Sequence, residues 1–87
     1  MRNFSGKIFS GELDLLQDSF YLTQVKNLQT ASNLSEGKLM QLNQYLSNQG
    51  ESCMITINDQ IPILLQEKEV AELLVDLASI MNALKTS

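Results

Sequence analysis

The residues that could do chemistry are few in this sequence, and their types exclude most catalytic arrangements. Histidine is absent, so neither a Ser-His-Asp nor a Cys-His nucleophile can be built, and the commonest general base and metal ligand are missing. One cysteine and scattered carboxylates give no zinc-ligand spacing, and no glycine-rich loop matches a phosphate-binding pattern. We therefore expect a protein that is not an enzyme and that uses no metal or cofactor.

A thiol and two groups of acids are the remaining candidates. Asp14 and Asp18, four residues apart, would make a solvated pair on a helix or, alternatively, a metal or acid-base pair. Cys53 opens a predicted strand, where a free cysteine usually acts as a small buried hydrophobe, the alternative being a reactive thiol. Acids around the start of the last helix suit the helix dipole or form an acidic patch for a basic partner. That cluster comprises the acids Glu67, Glu69, Glu72 and Asp76 together with Lys68.

Size and composition indicate one globular domain over residues 1–87. The chain has 44% apolar and 18% charged residues, and a chain of this size buries only about 60–65% of its unfolded surface, which leaves no core to divide. No run approaches the roughly 20 apolar residues that span a bilayer, and residues 1–6 lack the apolar stretch of a signal peptide. A cytoplasmic location is expected, with secretion by a signal-free route as the alternative.

The charge balance favours a protein partner over nucleic acid or a membrane. The chain has ten acidic and six basic residues, and tight binding to a phosphate backbone needs clustered cations. A single cysteine cannot form an internal disulfide, so the small core has no covalent staple and association with a copy or another protein is expected. The basic residues are scattered: Arg2, Lys7, Lys26, Lys38, Lys68 and Lys85.

Hydrophobic periodicity predicts an α+β fold with two N-terminal helices, a β-hairpin and a C-terminal amphipathic helix. Residues 3–11 fit either a weak strand or coil. From Glu12 onward apolar residues recur every three or four positions, which predicts a first helix with Ser10 as its N-cap. Its apolar face is Leu13, Leu16, Phe20, Tyr21, Val25 and Leu28.

A second helix and the hairpin follow. Ser35 is the predicted N-cap of a helix over residues 36–48, with Gly50 at its stop. β-Branched residues on either side of Asn58-Asp59 predict two strands, residues 53–57 and 60–65. The apolar face of the second helix is Leu39, Leu42 and Leu46.

The last helix carries the strongest pattern, an a/d repeat with a wide apolar surface. A second row, Leu73, Val75, Ala78 and Ile80, widens that surface. Either all of it is core or part of it is an interface, and we predict an interface because a chain this short has little else to cover it. The predicted interface residues are Val70, Leu74, Leu77, Met81 and Leu84, with Glu69, Glu72 and Asp76 as a charged rim.

Two stretches resemble known families of acidic binding proteins. Asn33-Leu34-Ser35, Ile55-Thr56 with Pro62-Ile63-Leu64-Leu65, and the acidic helix Glu67 to Leu74 together resemble the prevent-host-death (Phd/YefM) antitoxins. Cys53 to Leu65 resembles the first hairpin of class I chaperones of type III secretion. Both families are acidic binding proteins, so both resemblances imply the same class of function. We expect a homodimer or half of a heterocomplex that neutralises, chaperones or regulates a partner protein, with a transcriptional regulator as a further alternative.

Overall fold

The chain forms a four-stranded antiparallel sheet, a two-stranded ribbon and two helices in a computed structural model that describes residues 2–49, 51–57 and 62–85. The sheet is a meander, so its strands lie side by side in chain order. In sequence, the elements are β1 (Arg2–Ser5), β2 (Phe9–Asp14), β3 (Ser19–Val25), β4 (Leu28–Ser35), α1 (Glu36–Ser47), β5 (Cys53–Ile55), β6 (Ile63–Leu65) and α2 (Glu67–Lys85).

The predicted first helix is wrong, and so is a fold with two N-terminal helices, because residues 9–35 form three strands. The helical spacing arises where two strands with alternating burial meet a turn. Leu16, which completes the three-and-four spacing, lies in the β2–β3 turn and is 97% exposed. Asp14 Oδ1 accepts bonds from the turn amides of Leu16 and Gln17, and Asp18 adopts a left-handed φ of 51°, both features of a tight turn.

Strand β2 shows the period of two directly. Phe9, Gly11 and Leu13 point into the core while the residues between them are half-buried, which is the alternation of a strand with one face on the core. The register shifts between Ser10 and Gly11, and a Cβ at Gly11 would collide with the carbonyl oxygen of Tyr21. A glycine is therefore required where β3 approaches this irregularity.

The second helix is confirmed as α1. Ser35 is its N-cap, with its side-chain oxygen accepting the amide of Lys38 at 3.2 Å. The hairpin pairing is confirmed between β5 and β6, where Met54 is opposite Leu64. The predicted turn at residues 58–59 and the stop at residue 50 lie outside the described residues.

One core fills the space between the inner face of the sheet, the ribbon and the two helices. Phe9 and Phe20 are completely buried, and the ring of Phe4 from the edge strand meets Phe20 edge-on at 5.8 Å between centroids. The fully buried aliphatic residues are Leu22, Val25, Leu34, Leu39, Leu46, Leu65, Leu73, Leu77 and Ile80. Within the described residues, neither helix combines the length and apolar character of a membrane-spanning helix.

Candidate protein-binding surface

The residues predicted as an interface on α2 divide into two groups. Val70, Leu77 and Leu84 are at most 4% exposed and lie in the core of the chain itself. Leu74 and Met81 are half-buried and pack against the edge of that core. Only these two have surface that another molecule could contact, so the a/d row of the sequence is mainly the seam that joins α2 to its own sheet.

Asp76, predicted as part of a charged rim, is instead buried. Its Oδ2 accepts the amides of Ile8 at 2.7 Å and Phe9 at 3.0 Å, and its Oδ1 accepts the amide of Lys7 at 3.1 Å. A Cβ at Gly6 would lie 2.5 Å from the carboxylate carbon, so the turn needs glycine there to come this close. Three consecutive amides around one carboxylate form an anion nest, which anchors the β1–β2 turn to α2.

Glu69 and Glu72 also point toward turns of the sheet. Glu69 pairs with Lys26 of the β3–β4 turn at 2.9 Å, whereas Glu72 reaches Lys7 at 3.8 Å through a lysine that is 75% exposed. The amide of Gln66 donates to Glu69 Oε1 at 2.8 Å. This backbone hydrogen bond, followed by the one from Lys26, lowers the pKa of Glu69.

Lys26 joins three parts of the chain. Its ammonium group also donates to the carbonyl of Leu64 in β6 at 3.3 Å, and its amide donates to the carbonyl of Ile8 at 2.8 Å. Its backbone adopts a left-handed φ of 57° in the β3–β4 turn. Glu69, Glu72 and Asp76 of α2 therefore connect, together with this lysine, the turns of the sheet and the ribbon, which is an internal role for these three acids.

The outer face of the ribbon carries an exposed apolar surface that we call the ribbon strip, composed of Leu28, Tyr45, Met54 and Leu64. Each of these side chains is between 44% and 54% exposed. Met54 and Leu64 are cross-strand neighbours at the centre of the ribbon. Tyr45 borders Met54 on the α1 side, and Leu28 borders Leu64 on the side of the β3–β4 turn. The strip thus runs from α1 across the ribbon to the sheet.

A groove lies on each side of the central Met54–Leu64 pair. The groove between α1 and β5 has a volume of about 350 Å³ and is lined by Leu42, Tyr45 and Ile55 with polar neighbours. The groove between the β3–β4 turn and β6 has about 290 Å³ and is lined by Leu28, Pro62 and Ile63 among others. Both grooves are shallow and open, a shape that suits protruding side chains of another chain better than an enclosed small ligand.

The carbonyls of the central pair are already occupied by side chains. The hydroxyl of Tyr45 donates to the carbonyl of Met54 at 3.3 Å, and Lys26 donates to that of Leu64. A free sheet edge binds an added strand through its main-chain groups. Because these carbonyls are covered, recognition at the ribbon strip would depend on side chains.

The ribbon strip was not predicted from the sequence, although a signal for it is present. Residues 53–55 and 63–65 are all apolar, whereas a hairpin with one solvated face should alternate apolar and polar residues. Uninterrupted apolar strands mean that both faces are apolar. In a two-stranded ribbon on the molecular surface, one of those faces must meet solvent or a partner.

The remaining chemical candidates do not assemble into a site. Cys53 is half-buried, and burial raises the pKa of its thiol, which lowers the thiolate fraction and so its reactivity. Asp14 is engaged in its own turn, as described above. Among the described residues, no group of three or more Cys, Asp or Glu side chains is placed to hold a metal ion.

Comparisons with known proteins give no relative for this chain. No protein-family model, no curated protein and no solved structure matches it. The surfaces described above are therefore the basis for a functional assignment.

Proposed function

We propose that this protein is a small protein-binding module that covers an apolar segment of a partner protein and thereby neutralises, escorts or regulates that partner. The ribbon strip is the observation that supports the proposal. It consists of four large apolar side chains that are each about half exposed and that adjoin one another across one surface. Contiguous apolar patches, unlike isolated exposed residues, mark interaction sites in soluble proteins. Methionine at the centre allows the surface to adapt to partner shape.

The proposed occupant is an apolar segment recognised through its side chains. The covered carbonyls of Met54 and Leu64 disfavour addition of a strand. The two grooves that flank the central pair offer places for two protruding side chains of the partner. Lys38 is the charged residue in the lining of the first groove. Because the rest of that lining is uncharged, we expect apolar contacts to contribute more to binding than ion pairs.

Selection of peptides by phage display, followed by binding of the synthesised peptides in solution, tests this proposal. We expect enrichment of apolar peptides and chemical-shift changes centred on Met54 and Leu64. Leu64→Glu places a charge at the centre of the strip and should weaken binding at least tenfold, equivalent to about 1.4 kcal/mol. Because Leu64 is 51% exposed, the variant should still fold.

Leu16→Glu is the matched control. Leu16 is a leucine with still greater exposure, but it lies in the β2–β3 turn and not in the ribbon strip. Peptide binding should be the same in this variant as in the original chain. The proposal is refuted when no peptide is enriched above background, or when Leu64→Glu binds the selected peptides as well as Leu16→Glu does.

A further inference from the structure

One side of α2, at the margin of the core, carries a second stripe of residues, separate from the ribbon strip. We call this the α2 stripe: Glu67, Ala71, Leu74, Ala78, Met81 and Lys85. Its members are exposed except Leu74 and Met81, which are half-buried. The spacing of four, three, four, three and four keeps them on one face of the helix. At about 1.5 Å per residue, the stripe extends for about 27 Å.

The α2 stripe is complementary to itself when reversed. An antiparallel copy places Glu67 against Lys85, Ala71 against Met81, and Leu74 against Ala78. All three pairs are centred on one point of the helix, level with Asp76, which faces the core on the other side. Each acid then meets a base, and each large side chain meets an alanine, so charge and volume match at every level.

From this double complementarity we infer that the chain forms a two-fold symmetric homodimer through antiparallel packing of its α2 helices. A two-fold interface requires a surface that matches its own rotated copy. Helices that cross at a shallow angle of about 20° stay in contact over several turns, and small residues opposite large ones allow the side chains to interdigitate. No charged residue lies on the stripe between its two ends, so no charge has to be buried unpaired.

The surface beside the stripe is suited to the same contact. Met40 of α1 is 46% exposed and Val75 of α2 is 65% exposed. A groove of about 370 Å³ lies between the helices, with Met40 on one side and Ala78 and Met81 on the other. These flanks extend the interface beyond one helix pair. A contact of this modest size predicts reversible association with a dissociation constant on the order of micromolar.

Charge reversal at the two ends of the stripe gives a decisive experiment. Glu67→Lys sets lysine against lysine at both ends of the homodimer, and Lys85→Glu sets glutamate against glutamate. Each variant alone should dimerise about tenfold more weakly in sedimentation at low salt, because two contacts change from attraction to repulsion. An equimolar mixture of the two variants restores both opposite-charge contacts and should form a heterodimer at close to the original affinity.

A second pair of variants tests the centre of the stripe. Ala78→Arg puts a long charged side chain where Leu74 of the copy must fit, and should leave the chain monomeric. Ser79→Arg makes a comparable change at the next, also exposed, residue of α2 outside the stripe and should dimerise normally. Circular dichroism checks that all variants are folded.

Three results overturn the inference: an original chain that is monomeric at all concentrations, a dimer that Ala78→Arg leaves intact, or a mixture of charge variants that associates no better than either alone. The first result would free the stripe for a different protein. None of these measurements involves a peptide, so they test the homodimer independently of the proposed function of the ribbon strip.

Discussion

At the scale of single residues, Asp76 is the side chain that joins α2 to the β1–β2 turn. Replacing it with asparagine keeps the shape but leaves one acceptor oxygen for three amides, and it turns an NH₂ group toward a backbone N–H. Because hydrogen bonds to a charged group contribute more than neutral ones, we expect Asp76→Asn to lower the free energy of unfolding by about 2 to 3 kcal/mol. Urea denaturation measures this change.

Glu72→Gln serves as the comparison for Asp76→Asn. It removes one carboxylate from the same helix and the same neighbourhood, but its ion pair with Lys7 is long at 3.8 Å and largely solvated on the lysine side. Exposed pairs of this kind contribute about 0–1 kcal/mol. Equal losses in the two variants would contradict the role assigned to the buried carboxylate and would indicate a general effect of charge on α2.

At the scale of elements, α1 shows how a local signal sets a boundary. Ser35 lies at the end of β4, and its hydroxyl accepts the amide of Lys38 at the point where the strand becomes a helix. Ser35→Ala removes that cap and should lower the free energy of unfolding by about 1 kcal/mol. Ser47→Ala is the control, since Ser47 bonds back to the carbonyl of Asn43 within the helix, a bond that does not support helix formation. A loss for Ser47→Ala as large as that for Ser35→Ala would exclude the capping explanation.

The elements that were predicted correctly are those with a strong local cause. The cap at Ser35 and the a/d row of α2 act within a few residues, and both appear in the structure. The meander does not have such a cause, because Leu13, Leu16 and Phe20 have helical spacing although Leu16 belongs to a turn. Only pairing with β3 and β4 determines the conformation of this region, and pairing between strands is not contained in a short window of sequence.

The candidate surfaces also differ in whether a local signal in the sequence or a contact between distant residues determines them. The last helix was predicted as apolar, but which of its sides faces the core depends on the sheet. Val70, Leu77 and Leu84 were therefore predicted as part of a docking surface, whereas they lie in the core. The hydrogen bonds of Asp76 connect it to residues that are 67, 68 and 69 positions away in the sequence. No spacing in the sequence indicates a contact over that separation. The ribbon strip, in contrast, could have been inferred from the apolar run of each strand.

At the scale of the whole molecule, the Lys26–Glu69 pair connects the sheet, the ribbon and α2, and its charge makes that connection depend on pH. The pKa of Glu69 is lowered from its usual 4.5, so the ionised form stabilises the folded state. By linkage, this contribution is fully present above 4.5, the value in the unfolded chain, and is lost as the pH falls through the lower folded-state value.

Comparing the original chain with Glu69→Gln over a range of pH isolates this contribution. Glutamine keeps an acceptor oxygen for the amide of Gln66 but cannot pair as an anion with Lys26, so the variant should be less stable at neutral pH. The difference in free energy of unfolding should remain constant down to about 4.5, where the unfolded chain begins to take up its proton, and then shrink until Glu69 of the folded chain is protonated as well. Glu51→Gln, the same change at an exposed site outside this cluster, corrects for the general loss of one negative charge. A difference that persists at low pH would mean that the shape of Glu69, rather than its charge, holds the three parts of the molecule together.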